Sequence, residues 1–215
     1  MINLDLIPNK TPNSIKLLFP NYTWDFYTCE EKKIYLTFDD GPIPEVTDFV
    51  LDQLKLYNAK GTFFCIGENI RKNPMIFKRI ISDEHSIGNH TMNHLKARKN
   101  SFSTYIENVL KCENEILEHT KINHKLFRPP YGQLNKRKLS ELRKLNYEII
   151  LWDVLSKDWD KNTSPEQCSI NVVANAKKGS IVVFHDSIKA FKNLRVALPK
   201  VLKHFSEKGF IFEKI

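Results

Sequence analysis

The chain has 215 residues, 41% hydrophobic and 27% charged, which is long enough for one domain with a substantial core. Its 33 Lys and Arg against 25 Asp and Glu give a formal charge of +8, but no basic run is longer than groups such as Lys136-Arg137-Lys138, so a nucleic-acid partner is not expected. No segment approaches the roughly 20 apolar residues needed to span a bilayer, and Cys29, Cys65, Cys112 and Cys168 form no Cys-x-x-Cys pair, which argues against zinc cages and disulfide frameworks and for buried free thiols.

Residues 1–8 lack a basic start, and Pro8 interrupts them before a signal-length apolar stretch develops. A soluble, cytoplasmic protein is the default expectation. There is no Pro/Ser/Gly-rich linker and no fixed-period repeat, so residues 1–215 are read as one domain. Within it, 1–32 form an N-terminal extension packed on the rest, and the aromatics Phe19, Tyr22, Trp24, Phe26 and Tyr27 add an edge strand or cover one end of the fold.

A β-branched and aromatic run over 32–36 reads as a strand, and it leads into TFDDGP at 37–42, where Gly-Pro turns the chain. A helix over 44–58 follows, with Val46, Phe49, Val50, Leu54 and Tyr57 at helical spacing. A strand over 61–66, a helix over 74–82 and a short strand over 86–89 lead to His90 and His94. Residues 101–119 carry a 3.6 period with Ser103 as N-cap. Residues 125–127 enter RPPYG at 128–132, whose prolines forbid helix and stiffen a loop. A helix over 135–145, a strand over 147–152, a helix over 164–177 opened by Ser164-Pro165, a strand over 180–184 ending at His185-Asp186, a helix over 193–208 and a strand over 210–212 complete the order.

Strand and helix alternate, which argues for a parallel sheet with helices outside. Polar, chemically able residues follow nearly every strand: Asp39-Asp40, His90 with His94, Arg128, Asp158 and His185. An open sheet would keep most of these ends apart, whereas a barrel brings them to one rim. The fold class is therefore α/β, a distorted (β/α) barrel with fewer than eight strands.

Two adjacent carboxylates at a strand end can take different roles only where the backbone starts to turn; alone, such a pair reads as a helix cap. His90 and His94 stand four apart, so on a helical turn their rings share a face and suit a metal. Seven histidines in this chain give about 0.2 such pairs by chance. Asp40 would complete a His-His-Asp set with positions left open, as catalytic zinc sites require, and the same ligands suit cobalt, nickel or iron. Asp39 could then act as base, with Arg128 orienting it. His185 could protonate a leaving amine while Asp158 holds its ring. Trp159, ordinarily a packing residue, would offer a sugar platform. Each residue alone is more often structural; the coincidence at five strand ends carries the reading.

TFDDGP, the run 87–94 with its two histidines, RPPYG, Asp158-Trp159 and Val183-Phe184-His185-Asp186 resemble, in order and spacing, the polysaccharide deacetylases of carbohydrate esterase family 4, the NodB homology domain. The resemblance spans residue 34 to the C-terminus. It implies metal-dependent removal of acetyl groups from N-acetylated sugars, with Asp39 as general base, Asp40, His90 and His94 as metal ligands and His185 as general acid. It further implies that Arg128 orients the base, that Asp158 tunes His185 and that the Tyr131 N–H stabilises the oxyanion. The family's fourth motif usually reads Asp-x-x-Asp-Trp, and Leu155 stands here for its first carboxylate. Val183 replaces the usual Leu of the fifth, altering the pocket that would receive the acetyl methyl. The expected function is a divalent-metal, foremost zinc, hydrolase of N-acetylglucosamine in peptidoglycan, chitin-type or related glycans. An O-acetyl (xylan-type) esterase or an inactive carbohydrate-binding protein is the alternative.

Overall fold

Alternation along one strand sets the architecture. In a computed structural model, which describes residues 8–121 and 125–215, β1 (Lys33–Asp39) directs Ile34, Leu36 and Phe38 outward into the largest apolar cluster. Tyr35, Thr37 and Asp39 take the opposite, inner face, where Tyr35 joins Phe64, Leu126, Ile150 and Ile181. The reading of residues 1–7 as free of an export signal lies outside the described residues.

Seven parallel strands form a curved wall in the order β5-β4-β3-β2-β1-β7-β6: β1, β2 (Gly61–Cys65), β3 (Ser86–Asn89), β4 (Leu126–Phe127), β5 (Glu148–Ile149), β6 (Val154–Leu155) and β7 (Ile181–His185). A two-residue strand, β8 (Ile211–Phe212), lies off this path and pairs with the start of β1. The wall is an incomplete barrel of seven strands with helices outside. Its register places Asp39 beside His185 across the β1–β7 pair and Asn89 beside Phe127 across β3–β4, so the strand ends that carry polar residues share one rim.

The flanking helices are α1 (Asn13–Leu18), α2 (Val46–Leu56), α3 (Gly67–Lys72), α4 (Pro74–Ser82), α5 (Phe102–Leu117), α6 (Lys136–Lys144), α7 (Pro165–Val173) and α8 (Ile188–Glu207). In α8, Ala190, Leu194, Ala197, Leu198, Val201, Leu202 and Phe205 make one buried stripe against the sheet, the spacing expected of an amphipathic helix. A second cluster, with Tyr105, Val109, Phe127, Leu142 and Tyr147, seals the side under α5 and α6.

The sheet path ends at β5 and β6, and residues 9–27 run along this seam. Thr23 N donates to Ile149 O at 2.9 Å and Thr23 O accepts from Leu151 N at 2.8 Å. Further along, Thr11 N donates to Asp153 O and Leu155 N to Asn9 O, both at 2.8 Å. Asp153, fully buried, holds this strap through Lys10 and Lys16 Nζ at 2.5 Å each and Tyr27 Oη at 2.7 Å, and also accepts from Ser180 Oγ beside β7 at 2.6 Å. Among the described residues no helix is long and apolar enough to cross a membrane, and the four thiols are free, with Cys65, Cys112 and Cys168 buried.

Candidate active site

Asp39 ends β1 on its inner face, and Asp40 follows with φ of 86°, a left-handed conformation that Asp tolerates better than most residues. The turn sends the two carboxylates to different partners. It is anchored by Asp186, which accepts Gly41 N–H at 3.0 Å and the Thr47 hydroxyl at 2.6 Å, while Asp186 N donates to Asp39 O at 3.0 Å. A Cβ on residue 41 would lie 1.9 Å from Asp186 Oδ2, so this close approach requires glycine. Burial pushes the Asp186 carboxyl up to about 8, against the Thr47 hydrogen bond. Sequence reasoning quoted Asp186 in a motif but gave it no role. The usable signal was an acid directly after a chemically able strand end, with a glycine in the neighbouring turn.

His90 and His94 do converge, with ring centroids 5.1 Å apart, but not through the helical turn expected from their spacing. Thr91 and His94 adopt φ of 68° and 58°, and the segment is an irregular turn pinned by Thr91 N to Asn89 Oδ1 and Leu95 N to Thr91 Oγ1. His90 Nδ1 lies 2.7 Å from Arg128 O; because a carbonyl only accepts, Nδ1 carries the proton and Nε2 keeps its lone pair. The Nε2 atoms of His90 and His94 stand 3.8 and 3.4 Å from Asp40 Oδ1. Burial lowers both imidazole pKa values, that of His94 to about 4, so both are neutral near pH 7. Asp40 Oδ1 is buried without a hydrogen-bond partner, and the three groups can present ligand atoms within 4.8 Å of one another. Electron-rich atoms converging with an orphaned carboxylate oxygen fit a divalent cation and would repel one another without one.

Arg128 is fully buried inside the barrel. Its Nη1 donates to Asp39 Oδ1 at 2.8 Å and Thr37 Oγ1 at 2.6 Å, Nη2 to Leu151 O at 3.0 Å and Nε to Ile150 O at 3.3 Å, and the guanidinium lies 4.1 Å from the Phe64 ring centroid. Burial alone would raise the Asp39 pKa, but Arg128, with His90 and His185 adding, outweighs it and holds the carboxyl below its usual range.

Facing Asp39, His185 donates two bonds to Asp158, Nδ1 to Oδ1 at 2.9 Å and backbone N to Oδ2 at 2.7 Å. Burial disfavours the imidazolium, yet the Asp158 charge and hydrogen bond prevail and raise the His185 pKa to about 9. Trp159 packs edge-on against His185 at 4.7 Å, and Tyr131 lies tilted against His94 at 4.7 Å. Tyr131 has φ of 60°; its turn is closed by Gly132 N to Pro129 O and Gln133 N to Pro130 O, which leaves the Tyr131 N–H outside these bonds.

Asp39, Asp40, His90, His94, Tyr131, Trp159, Val183 and His185 all line one cavity of about 360 Å³, with Arg128 and Asp158 behind its wall. Leu155 and Val183, partners in the β6–β7 register, form an apolar side of it beside Trp152, which sequence reasoning had not placed there.

Residues 27–150 match the family model described as polysaccharide deacetylase. A peptidoglycan-N-acetylglucosamine deacetylase of Bacillus cereus is 38% identical over 88% of this chain and 89% of its own length. This chain belongs to the polysaccharide deacetylase family. A chitooligosaccharide deacetylase of Azorhizobium caulinodans is 35% identical over 74% of this chain and 76% of its own. The crystal structure of the Bc1960 peptidoglycan N-acetylglucosamine deacetylase, in complex with 4-naphthalen-1-yl-N-oxidanyl-benzamide, superposes with a TM-score of 0.86 at 33% identity, covering 95% of each chain. The chain is thus an enzyme of the carbohydrate esterase family 4 deacetylases, the family that its motifs resembled.

The pair His185–Asp158 gives this deacetylase a testable pH signature. A folded-state pKa of about 9, above the ordinary 6.5, means that the imidazolium, and the stability it contributes, are fully present below 6.5 and are lost as pH rises through about 9. Asp158→Asn removes the charge that raises it. The alkaline limb of the rate profile and the NMR titration of His185 are expected to move down together by about one unit or more; an unmoved limb would show that another group titrates there.

Proposed function

We propose that this chain removes N-acetyl groups from N-acetylglucosamine units of a glycan in a divalent-metal-dependent hydrolysis that releases acetate. The reading is carried by one observation: across a single cavity, an Arg128-bound carboxylate held ionised faces an Asp158-bound imidazole held protonated, beside the Asp40, His90 and His94 set. Two titratable groups pushed apart in this way at the same pH are the pattern of a base and an acid acting on one bond.

A cation held by Asp40, His90 and His94, zinc first and cobalt, nickel or iron by the same ligand chemistry, would polarise the acetamide carbonyl and acidify water. Asp39, steadied by Arg128, takes the proton from the attacking water. The Tyr131 N–H donates to the carbonyl oxygen as it gains charge. His185 then delivers its proton to the sugar nitrogen, so that the amine leaves neutral and acetate is set free. Leu155 and Val183 receive the acetyl methyl, and Trp159 stacks against the sugar. The named relatives act on peptidoglycan and chitooligosaccharides, which supports a glycan carrying N-acetylglucosamine.

Acetate release from N-acetylchitooligosaccharides, peptidoglycan fragments and O-acetylated xylan tests the reading. Activity on the first two is expected to vanish on chelation and return with zinc or cobalt. Release from xylan alone, or from none with metal bound, would overturn it.

A further inference from the structure

Beside the catalytic cavity lies a second depression of about 370 Å³, formed by residues 160–164 ahead of α7, by Pro165 at its start and by the first turns of α8. Lys189 lines both. Lys161 and Lys192 join it, all three are exposed, and among the described residues none lies within ion-pair distance of a carboxylate. The one acid of the depression, Asp160, is turned to its own loop: it accepts Thr163 Oγ1 at 2.6 Å and Asn162 N at 3.0 Å. Three cations against one engaged carboxylate leave the depression net positive.

Two further features make this more than a surface of loose lysines. Helix α8, twenty residues long, follows Ser187 on the catalytic-cavity side; the Ser187 side chain makes no capping bond and its carbonyl accepts from Ala190 and Phe191 N–H, so the positive dipole end of the helix carries no side-chain cap. The loop opposite is fixed by Asn193, which is 7% exposed and whose amide donates to Asp158 O at 3.0 Å, Asp160 O at 3.4 Å and Thr163 O at 3.0 Å. The depression is therefore held in register with Asp158, and through it with His185.

Resting on the deacetylase reading above, we propose that Lys161, Lys189 and Lys192 form a subsite for a carboxylate carried by the glycan next to the sugar being deacetylated, so that this enzyme selects acidic over neutral chains. In peptidoglycan that carboxylate belongs either to the lactyl ether of N-acetylmuramic acid or to an attached stem peptide; a chitin-type chain has none.

Binding separates this claim from turnover. Metal-loaded protein is titrated at about 50 mM salt, where exposed charges are least screened, with tetra-N-acetylchitotetraose, with the peptide-free tetrasaccharide of alternating N-acetylglucosamine and N-acetylmuramic acid, and with its peptide-bearing form. Wild type is expected to bind an acidic chain about 10-fold more tightly than the neutral one, and K161Q/K189Q/K192Q to lose that preference. A charge-matched K55Q/K203Q/K208Q variant, altered at the ends of α2 and α8 away from the depression, keeps it. Preference for the peptide-free form assigns the lactyl carboxylate, and preference only for the peptide-bearing form assigns the stem. Equal affinities in wild type, or an equal loss in both variants, would overturn the subsite. Selective binding without acetate release from any of the three would sustain the subsite and refute the deacetylase reading.

Discussion

Asp39→Asn is expected to lower acetate release by about a thousandfold while the protein still binds one divalent metal per chain. The substitution keeps the shape of the side chain and leaves an amide oxygen to accept from Arg128 Nη1, so the barrel interior stays assembled. It removes the lone pair that would take a proton from water. Asp40 Oδ1 and the two imidazoles make no bond to the Asp39 side chain and keep their geometry. Metal analysis alongside the acetate assay separates the two functions; undiminished turnover would remove Asp39 from the role of base.

The second large effect concerns stability. Arg128→Met should destabilise the fold by about 3–5 kcal/mol, lowering the melting temperature by roughly 10 °C for a domain of this size. A surface arginine would matter far less. Arg128 is fully buried and satisfies Asp39, Thr37 and the carbonyls of Ile150 and Leu151 at once, so Met leaves a buried charge and three acceptors without donors. Lys at this position restores one contact but not the planar fork, and recovers only part of the loss. Urea unfolding of the three proteins checks the order; equal midpoints would show that the cation is dispensable to the barrel.

Those four bonds also mark where sequence reasoning reached its limit. The chemistry at the strand ends was legible because residue type is local: TFDDGP, the two histidines, Arg128 and the strand closing on His185 stand out in any reading. Burial of Arg128 was not, because it depends on partners from β1 and from residues 150–151 that no local pattern announces. His90 and His94 were paired for the wrong reason, since Thr91, a β-branched residue, carries no signal for the positive φ that brings the rings together. The expected strand over 147–152 is shorter, and β6 went unseen because two residues hold no alternation. Helix α8 starts five residues before the expected Asn193, where exposed Ile188 and the lysines 189 and 192 mask its period. The helix α5 is capped by Ser101, not by Ser103: both serines qualify by type, and only the bond from Thr104 N decides between them. The six-residue α3 has no side-chain cap to betray it.

The strap along the seam ties together parts of the chain made at very different times. Lys10 and Asp153 are 143 residues apart, and Asn9 reaches Asn171 across 162. As the polypeptide leaves the ribosome, residues 9–27 must wait for residues 149–180 before they can dock, and such distant closure slows folding. Until then β5 and β6 offer bare main-chain edges on which a second, nascent copy could pair. The interval before the seam is sealed is therefore the moment at which this barrel is most exposed to aggregation.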